Sequence, residues 1–261
     1  MQGEHRFRQR LRSGAVAIGC VVSFTDPAVS EALAGAGLDF LWIDMEHGGL
    51  GVETVQAHIM AAQLAGVTPL VRVPWNDPVL MKPVLDAGAE GVIVPLIRTP
   101  ADAQRAVAAC RYPPDGVRGY GPRRPSNYGR RGGPDFCRAA NQHVMVIPQI
   151  EHIDAVRSLD DIIQTPGIEA VMIGPNDLSG SMGLTAQTGH PEVVRAMEAV
   201  ITGARRRGVF VGIAVGSGPD DVLHWIHQGV QWVGIGADFL FLTRGVDQDV
   251  ARIRQGLGRP A

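Results

Sequence analysis

Val144-Met145-Val146-Ile147-Pro148-Gln149-Ile150 ends on Glu151, and Ala170-Val171-Met172-Ile173-Gly174 runs into Pro175-Asn176-Asp177. An apolar run of about four to eight residues bounded by turn residues reads as a strand buried on both faces, as in a parallel sheet. Glu151 and Asp177 therefore stand at strand C-terminal ends, where packing alone gives little reason for a charge. Two further runs behave the same way: Phe40-Leu41-Trp42-Ile43 leads into Asp44-Met45-Glu46-His47, and Pro69-Leu70-Val71 leads into Arg72. Polar residues at strand exits are the active-site layout of α/β barrels.

Working outward, the pattern predicts eight strands, at 15–22, 39–43, 68–73, 91–95, 144–150, 170–174, 209–214 and 231–235. Periodic stretches with helix signals lie between them. Asp26-Pro27, Asn76-Asp77-Pro78 and His190-Pro191-Glu192 each set a proline near the first turn of a helix. Eight alternations within 261 residues favour one closed TIM (β/α)8 barrel spanning 1–261. The rival, an open doubly wound sheet, would want a glycine-rich turn after its first strand, and Ser23-Phe24-Thr25-Asp26-Pro27 has none. A polar insertion at 112–134, rich in Gly, Pro and Arg, interrupts the regular spacing and reads as a functional loop.

The net charge of −2 and a pI near 6.4 give no footprint for nucleic acid or an anionic membrane as partners. Arginines nonetheless cluster at Arg123-Arg124, Arg130-Arg131 and Arg205-Arg206-Arg207. Cys20, Cys110 and Cys137 are odd in number and lack metal-type spacing, which argues for a reducing compartment. With no apolar stretch behind the N-terminal charges and none of membrane-spanning length, the expected location is cytoplasmic.

In a barrel, residues at different strand exits converge on one face, so His47, Arg72, Glu151 and Asp177 are expected around one pocket. Two carboxylates, with Glu46 as an acidic neighbour and no thiol or paired-histidine spacing, suit a hard divalent cation such as Mg²⁺ or Mn²⁺. Arg72 offers a planar, permanently charged fork for a carboxylate or a developing enolate. His47 is the acid/base candidate, with Asp44 or Asp86 to orient its ring. The other histidines, His5, His58, His143, His152, His190, His224 and His227, are read as structural. The only lysine, Lys82, falls inside a helical segment, which argues against a Schiff-base mechanism, since that needs a buried lysine pointing into the barrel.

The segments Trp42–Gly48, Val71–Pro78, Arg111–Gly119, Gln149–Glu151 and Ile173–Ser179 together resemble the HpcH/HpaI aldolases. The resemblance runs from about Arg12 to Arg252. It implies a class II pyruvate aldolase using Mg²⁺, Mn²⁺ or Co²⁺, acting on pyruvate or oxaloacetate with a small aldehyde. It further implies a homo-oligomer, often a hexamer, whose last helix is exchanged between subunits. By the same resemblance Glu151 and Asp177 hold the metal, Gln149 contacts pyruvate beside Gly174, Pro175 and Asn176, Arg72 stabilises the enolate, and His47 works with Asp44 and Asp86. Met45 stands where the family often has glycine. Arg123 and Arg124, in the insertion, are the candidates for binding the aldehyde half. Two alternatives remain: a citryl- or malyl-thioester lyase, and a non-catalytic barrel binding phosphate at Gly216-Ser217-Gly218 and Gly234-Ile235-Gly236.

Overall fold

The computed structural model describes residues 6–216 and 218–258; His5 and Ser217 lie outside the described residues. Its strands are β1 (Ala17–Val22), β2 (Phe40–Asp44), β3 (Thr68–Arg72), β4 (Gly91–Val94), β5 (Met145–Ile150), β6 (Ala170–Ile173), β7 (Phe210–Ala214) and β8 (Trp232–Ala237). They close in sequence order into one barrel, every pair parallel and β8 returning to β1. This is the (β/α)8 barrel expected from the alternation, with strand bounds shifted by one or two residues. Burial on both faces explains the apolar runs: one cluster of core residues packs the helices against the sheet, and a second fills the interior.

The interior cluster shows the period of two along each strand. Phe40 and Trp42 on β2, Leu70 on β3, Ile93 on β4, Met145 and Ile147 on β5 and Trp232 on β8 all point inward. Near the strand entrances the filling is aromatic. Phe7, Phe40 and Trp232 meet edge to face with centroids 5.1 to 5.6 Å apart, a geometry that suits the ring quadrupoles. A Cβ on Gly212 would stand 2.1 Å from the Trp232 ring, so glycine is what lets that indole lie flat across the barrel. Phe7 comes from a short helix, Arg6–Arg12, that closes this end and that the sequence pattern had not marked.

The expected helix starts are present. Asp77 caps the helix Pro78–Ala87 by accepting the Val79 N–H at 2.7 Å, and His190 caps Pro191–Arg206 through Nδ1. His152 caps Ile153–Arg157 in the same way, which accounts for its place near the site. His58 is fully buried against the Ser30 hydroxyl at 2.8 Å. All three cysteines are free, and no helix among the described residues is long and apolar enough to cross a membrane.

The insertion departs from expectation. It lies between the helices Pro100–Cys110 and Gly133–His143, the second of which leads into β5. A segment that follows a helix and precedes a strand belongs to the strand-entrance end of a barrel, whereas active sites sit at the strand exits.

Candidate active site

Period-two alternation carries the inward faces of β2, β3 and β5 from apolar to polar as the strands end. Asp44 and Arg72 are register partners on β2 and β3, so their side chains project side by side. Arg72 donates Nε to Asp44 Oδ1 at 2.8 Å and Nη2 to Oδ2 at 2.6 Å. Its Nη1 lies 3.0 Å from Glu46 Oε2, and its Cζ sits 4.9 Å from the Trp42 ring centroid. Burial would favour losing the proton, but Asp44 and Glu46 hold the Arg72 pKa above its ordinary value. The guanidinium is therefore fixed on one edge by carboxylates and from beneath by an indole. Two of its five N–H bonds go to Asp44, which leaves N–H groups on Nη1 and Nη2 for a ligand.

Beside it, Gln149 and Glu151 follow one another on the same face at the end of β5. Gln149 Nε2 donates to Glu151 Oε2 at 2.5 Å, and the buried Gln149 Oε1 has no partner among the described residues. The other carboxylate oxygen, Glu151 Oε1, accepts the Leu96 N–H at 2.7 Å. Leu96 adopts φ of 53°, a left-handed conformation that is unusual for a bulky residue. A Cβ on Gly174 would lie 2.6 Å from Glu151 Oε2 and 2.8 Å from Gln149 Nε2, so the floor of the site requires glycine there.

Glu151 is only 2% exposed. Burial pushes its carboxyl up to about 7, with Glu46 and Asp177 raising it further while the Leu96 N–H and Arg72 oppose. Glu46 is raised for the same leading reason, with Asp44 and Asp177 also adding to the shift. Asp177 itself is exposed, in the first turn of the helix Pro175–Ser181 after β6, with Pro175 and Asn176 beside it. Two acids raised chiefly by burial and further by neighbouring carboxylates, beside an unpartnered amide oxygen, are a donor set that fits a hard cation. Among the described residues, no three His, Cys, Asp or Glu side chains converge tightly enough to form a metal cluster by themselves.

The structure brings Asp44, Glu46, Arg72, Gln149, Glu151, Gly174 and Asp177 together, and three expectations change. His47 is exposed at the mouth, and Asp44 accepts from Arg72 and the Glu46 N–H with no hydrogen bond to the His47 ring among the described residues. Asp86 sits in the last turn of Pro78–Ala87, at the strand-entrance end, paired with Arg118 at 2.7 Å. Arg123 and Arg124 lie at that same far end. Arg124 Nη1 donates to Ala87 O at 2.9 Å and Gln63 Oε1 at 3.0 Å, and the Arg123 carbonyl accepts from the Ser126 hydroxyl. Asp86, Arg123 and Arg124 thus do not reach this chain's own site. Trp42 and the Leu96 amide were not singled out from sequence. Trp42 lies two residues before Asp44 on the same inward face, a signal that was available; a backbone N–H leaves no trace in a side-chain pattern.

The family model for HpcH/HpaI aldolase/citrate lyase matches residues 17–244. The chain belongs to that family. The 4-hydroxy-2-oxo-heptane-1,7-dioate aldolase of Salmonella paratyphi C is 38% identical over 251 residues, covering 95% of this chain and 94% of that protein. An HpcH/HpaI aldolase/citrate lyase family protein from Burkholderia cenocepacia J2315 superposes with a TM-score of 0.90 at 36% identity, over 95% of this chain and 98% of the other. The citrate synthase SbnG superposes with a TM-score of 0.86 at 30% identity, over 97% and 99%. As an HpcH/HpaI family member the chain is an aldolase-type carbon–carbon lyase, the class that the resemblance implied.

Proposed function

We propose that this chain is a class II pyruvate aldolase that cleaves or forms 4-hydroxy-2-oxo acids through the enolate of pyruvate, with oxaloacetate decarboxylation as a side reaction. The observation that carries the proposal is the fixed trio of Arg72, Gln149 and Glu151 at the strand exits, while Lys82, the only lysine, is exposed on a helix. Glu151 and Asp177 would hold Mg²⁺, Mn²⁺ or Co²⁺. Such an ion supplies Lewis acidity toward a keto oxygen. Gln149 Oε1 and the strip Gly174-Pro175-Asn176 would seat the pyruvate half, and the free edge of Arg72 would stabilise the negative charge that builds on the enolate oxygen. His47, at the mouth, would move the proton of the substrate's 4-hydroxyl.

Asp86 could support His47 only from a neighbouring subunit. The helix Asp238–Gly256 favours such an oligomer: only Asp238 is buried, and Phe239, Phe241, Leu242, Val246, Val250 and Ile253 are exposed. An apolar row of that length asks for a protein surface, as helix exchange in a hexamer would provide. The aldehyde is taken to be small and polar, in keeping with the dioate named for the Salmonella relative.

The test is oxaloacetate and 4-hydroxy-2-oxo acid turnover by the purified protein. Exhaustive chelation is expected to abolish both activities, added Mg²⁺ or Mn²⁺ to restore them, and borohydride with pyruvate to leave the protein unlabelled. Full activity after chelation, or an adduct on Lys82, overturns the class II reading. The likeness to SbnG supports a second reading, carbon–carbon bond formation by a thioester-type lyase. Protection of the fold against heat by coenzyme A would favour it.

A further inference from the structure

At the strand-entrance end a cavity of about 990 Å³ opens between the insertion and the helix Gly133–His143. Its walls carry Arg8, Arg12, Arg118, Arg124, Arg130 and Arg131 against two acids, Glu90 and Asp135. A chain with a net charge of −2 thus gathers six of its 24 basic residues around one hollow. Part of that charge is matched from behind the wall. Asp86 pairs with Arg118, and Glu169 pairs with Arg8 and Arg12, at 2.7 to 3.1 Å.

The remainder is not matched. Arg124 spends Nη1 on a carbonyl and an amide oxygen, both uncharged. Arg130 reaches only the Asn127 carbonyl, at 3.3 Å. For Arg131 no carboxylate lies within ion-pair distance among the described residues, and the same holds for Arg124 and Arg130. The two lining acids offset them only in part. Asp135 is engaged by Arg138, and Glu90 is half-buried and hydrogen-bonded to Gln63 at 2.9 Å, its carboxyl raised by desolvation while Gln63 and the Arg124 charge oppose the shift. One wall is preorganised. Arg118 is 4% exposed and stacked 4.4 Å over the Tyr112 ring, and its Nε–H has no acceptor among the described residues.

We propose that this cavity is a second, non-catalytic site that binds a small polyanion, a metabolite carrying two or more carboxylate or phosphate groups. Guanidinium forks match both kinds of oxyanion with paired hydrogen bonds. Several unmatched cations in one concavity favour a multiply charged ligand over a monoanion. The volume is at the upper end of the roughly 300–1,000 Å³ of small-molecule sites and far exceeds what pyruvate needs. The arginines with no carboxylate partner among the described residues, Arg124, Arg130 and Arg131, have no part in the reaction proposed at the strand exits.

The experiment is calorimetric titration of the full-length, metal-stripped protein with citrate and, separately, with inorganic pyrophosphate, at constant ionic strength. One saturable site per subunit is expected for at least one probe, and the probe that binds tells a carboxylate ligand from a phosphate ligand. The double variant Arg130→Ser/Arg131→Ser, altered only at exposed positions, is expected to bind about tenfold or more weakly, with an unchanged unliganded melting temperature. If that variant does not fold, Arg131→Ser alone is measured against the same criterion. Arg72→Ala, which removes the cation at the other end of the barrel, is expected to bind as the wild type does. No saturable binding of either probe, wild-type affinity in the arginine variant, or loss of binding in Arg72→Ala would each overturn the proposal.

Discussion

Four residues along the same strands separate Phe40 from Asp44, Thr68 from Arg72 and Met145 from Gln149. Over that rise of roughly 13 Å the barrel interior changes from interlocked rings to ion pairs and an orphan amide oxygen. The apolar rings at the entrance end gain by being buried. The exit end buries a carboxylate that desolvation drives up to about 7, so it sits in a state that costs the fold something. Substitutions at the two ends should therefore separate stability from turnover.

The largest effect belongs to the entrance. Trp232 is fully buried, with edge-to-face contacts to both Phe7 and Phe40. Trp232→Ala is expected to cost about 3–5 kcal/mol of stability, read by denaturant unfolding, with turnover per folded molecule unchanged. A drop in turnover beyond the unfolded fraction would show the ends to be coupled and the contrast wrong.

Next in size is Arg72→Lys. A point charge cannot hold Asp44 through two bonds, touch Glu46 and still present donors to an oxyanion. Oxaloacetate turnover is expected to fall about 10²–10³-fold, while the melting temperature moves little. Near-normal turnover in this variant would remove Arg72 from the stabilisation of the enolate.

Glu151→Gln reverses the usual sign of a core substitution. The folded pKa of Glu151 is raised above its unfolded value, so the native state binds the proton more tightly. The ionised carboxyl then weakens the metal-free fold at high pH, and this penalty shrinks as pH falls from about 7 toward 4.5. Glutamine carries no such charge and its amide oxygen can still accept from Leu96. The variant, in chelator, is expected to be more stable than wild type by up to about 3 kcal/mol at pH 8, converging with it near pH 4.5, and to lose metal-dependent turnover. Equal pH–stability curves for the two proteins would mean that Glu151 is not held desolvated.

Strand exits were legible because burial on both faces leaves an unbroken apolar run, and the first charge after it marks the end. Convergence of strand exits on one face of a barrel pointed to His47, Arg72, Glu151 and Asp177 around one pocket, whereas Gln149 was expected only by resemblance. What stayed hidden has separate causes. The helix Arg6–Arg12 looked like a charged terminus, since only Phe7 and Leu11, four residues apart, signal its buried stripe. Asp86, Arg123 and Arg124 were drawn toward the site by their chemistry, although the order of elements already assigned helix-to-strand connections to the other end. The clamp of Asp44 on Arg72 depends on strand register, which hydrophobic patterning does not fix across neighbours.

The smallest effect tests whether the exit end also stores backbone strain. Leu96 holds φ at 53° to aim its N–H at Glu151 Oε1. A non-glycine residue in that region carries on the order of 1–3 kcal/mol of steric cost, whereas glycine there gives up about 0.5–1 kcal/mol of chain entropy instead. Leu96→Gly keeps the donor and removes the clash, so stability should rise by up to about 1 kcal/mol, with turnover within about threefold of wild type. Leu96→Ala keeps both donor and strain and should show no such gain, which separates backbone relief from loss of the side chain. If Leu96→Gly is instead the less stable of the two, the strained amide is not a cost of the active site, and the asymmetry between the barrel's ends rests on the buried carboxylate alone.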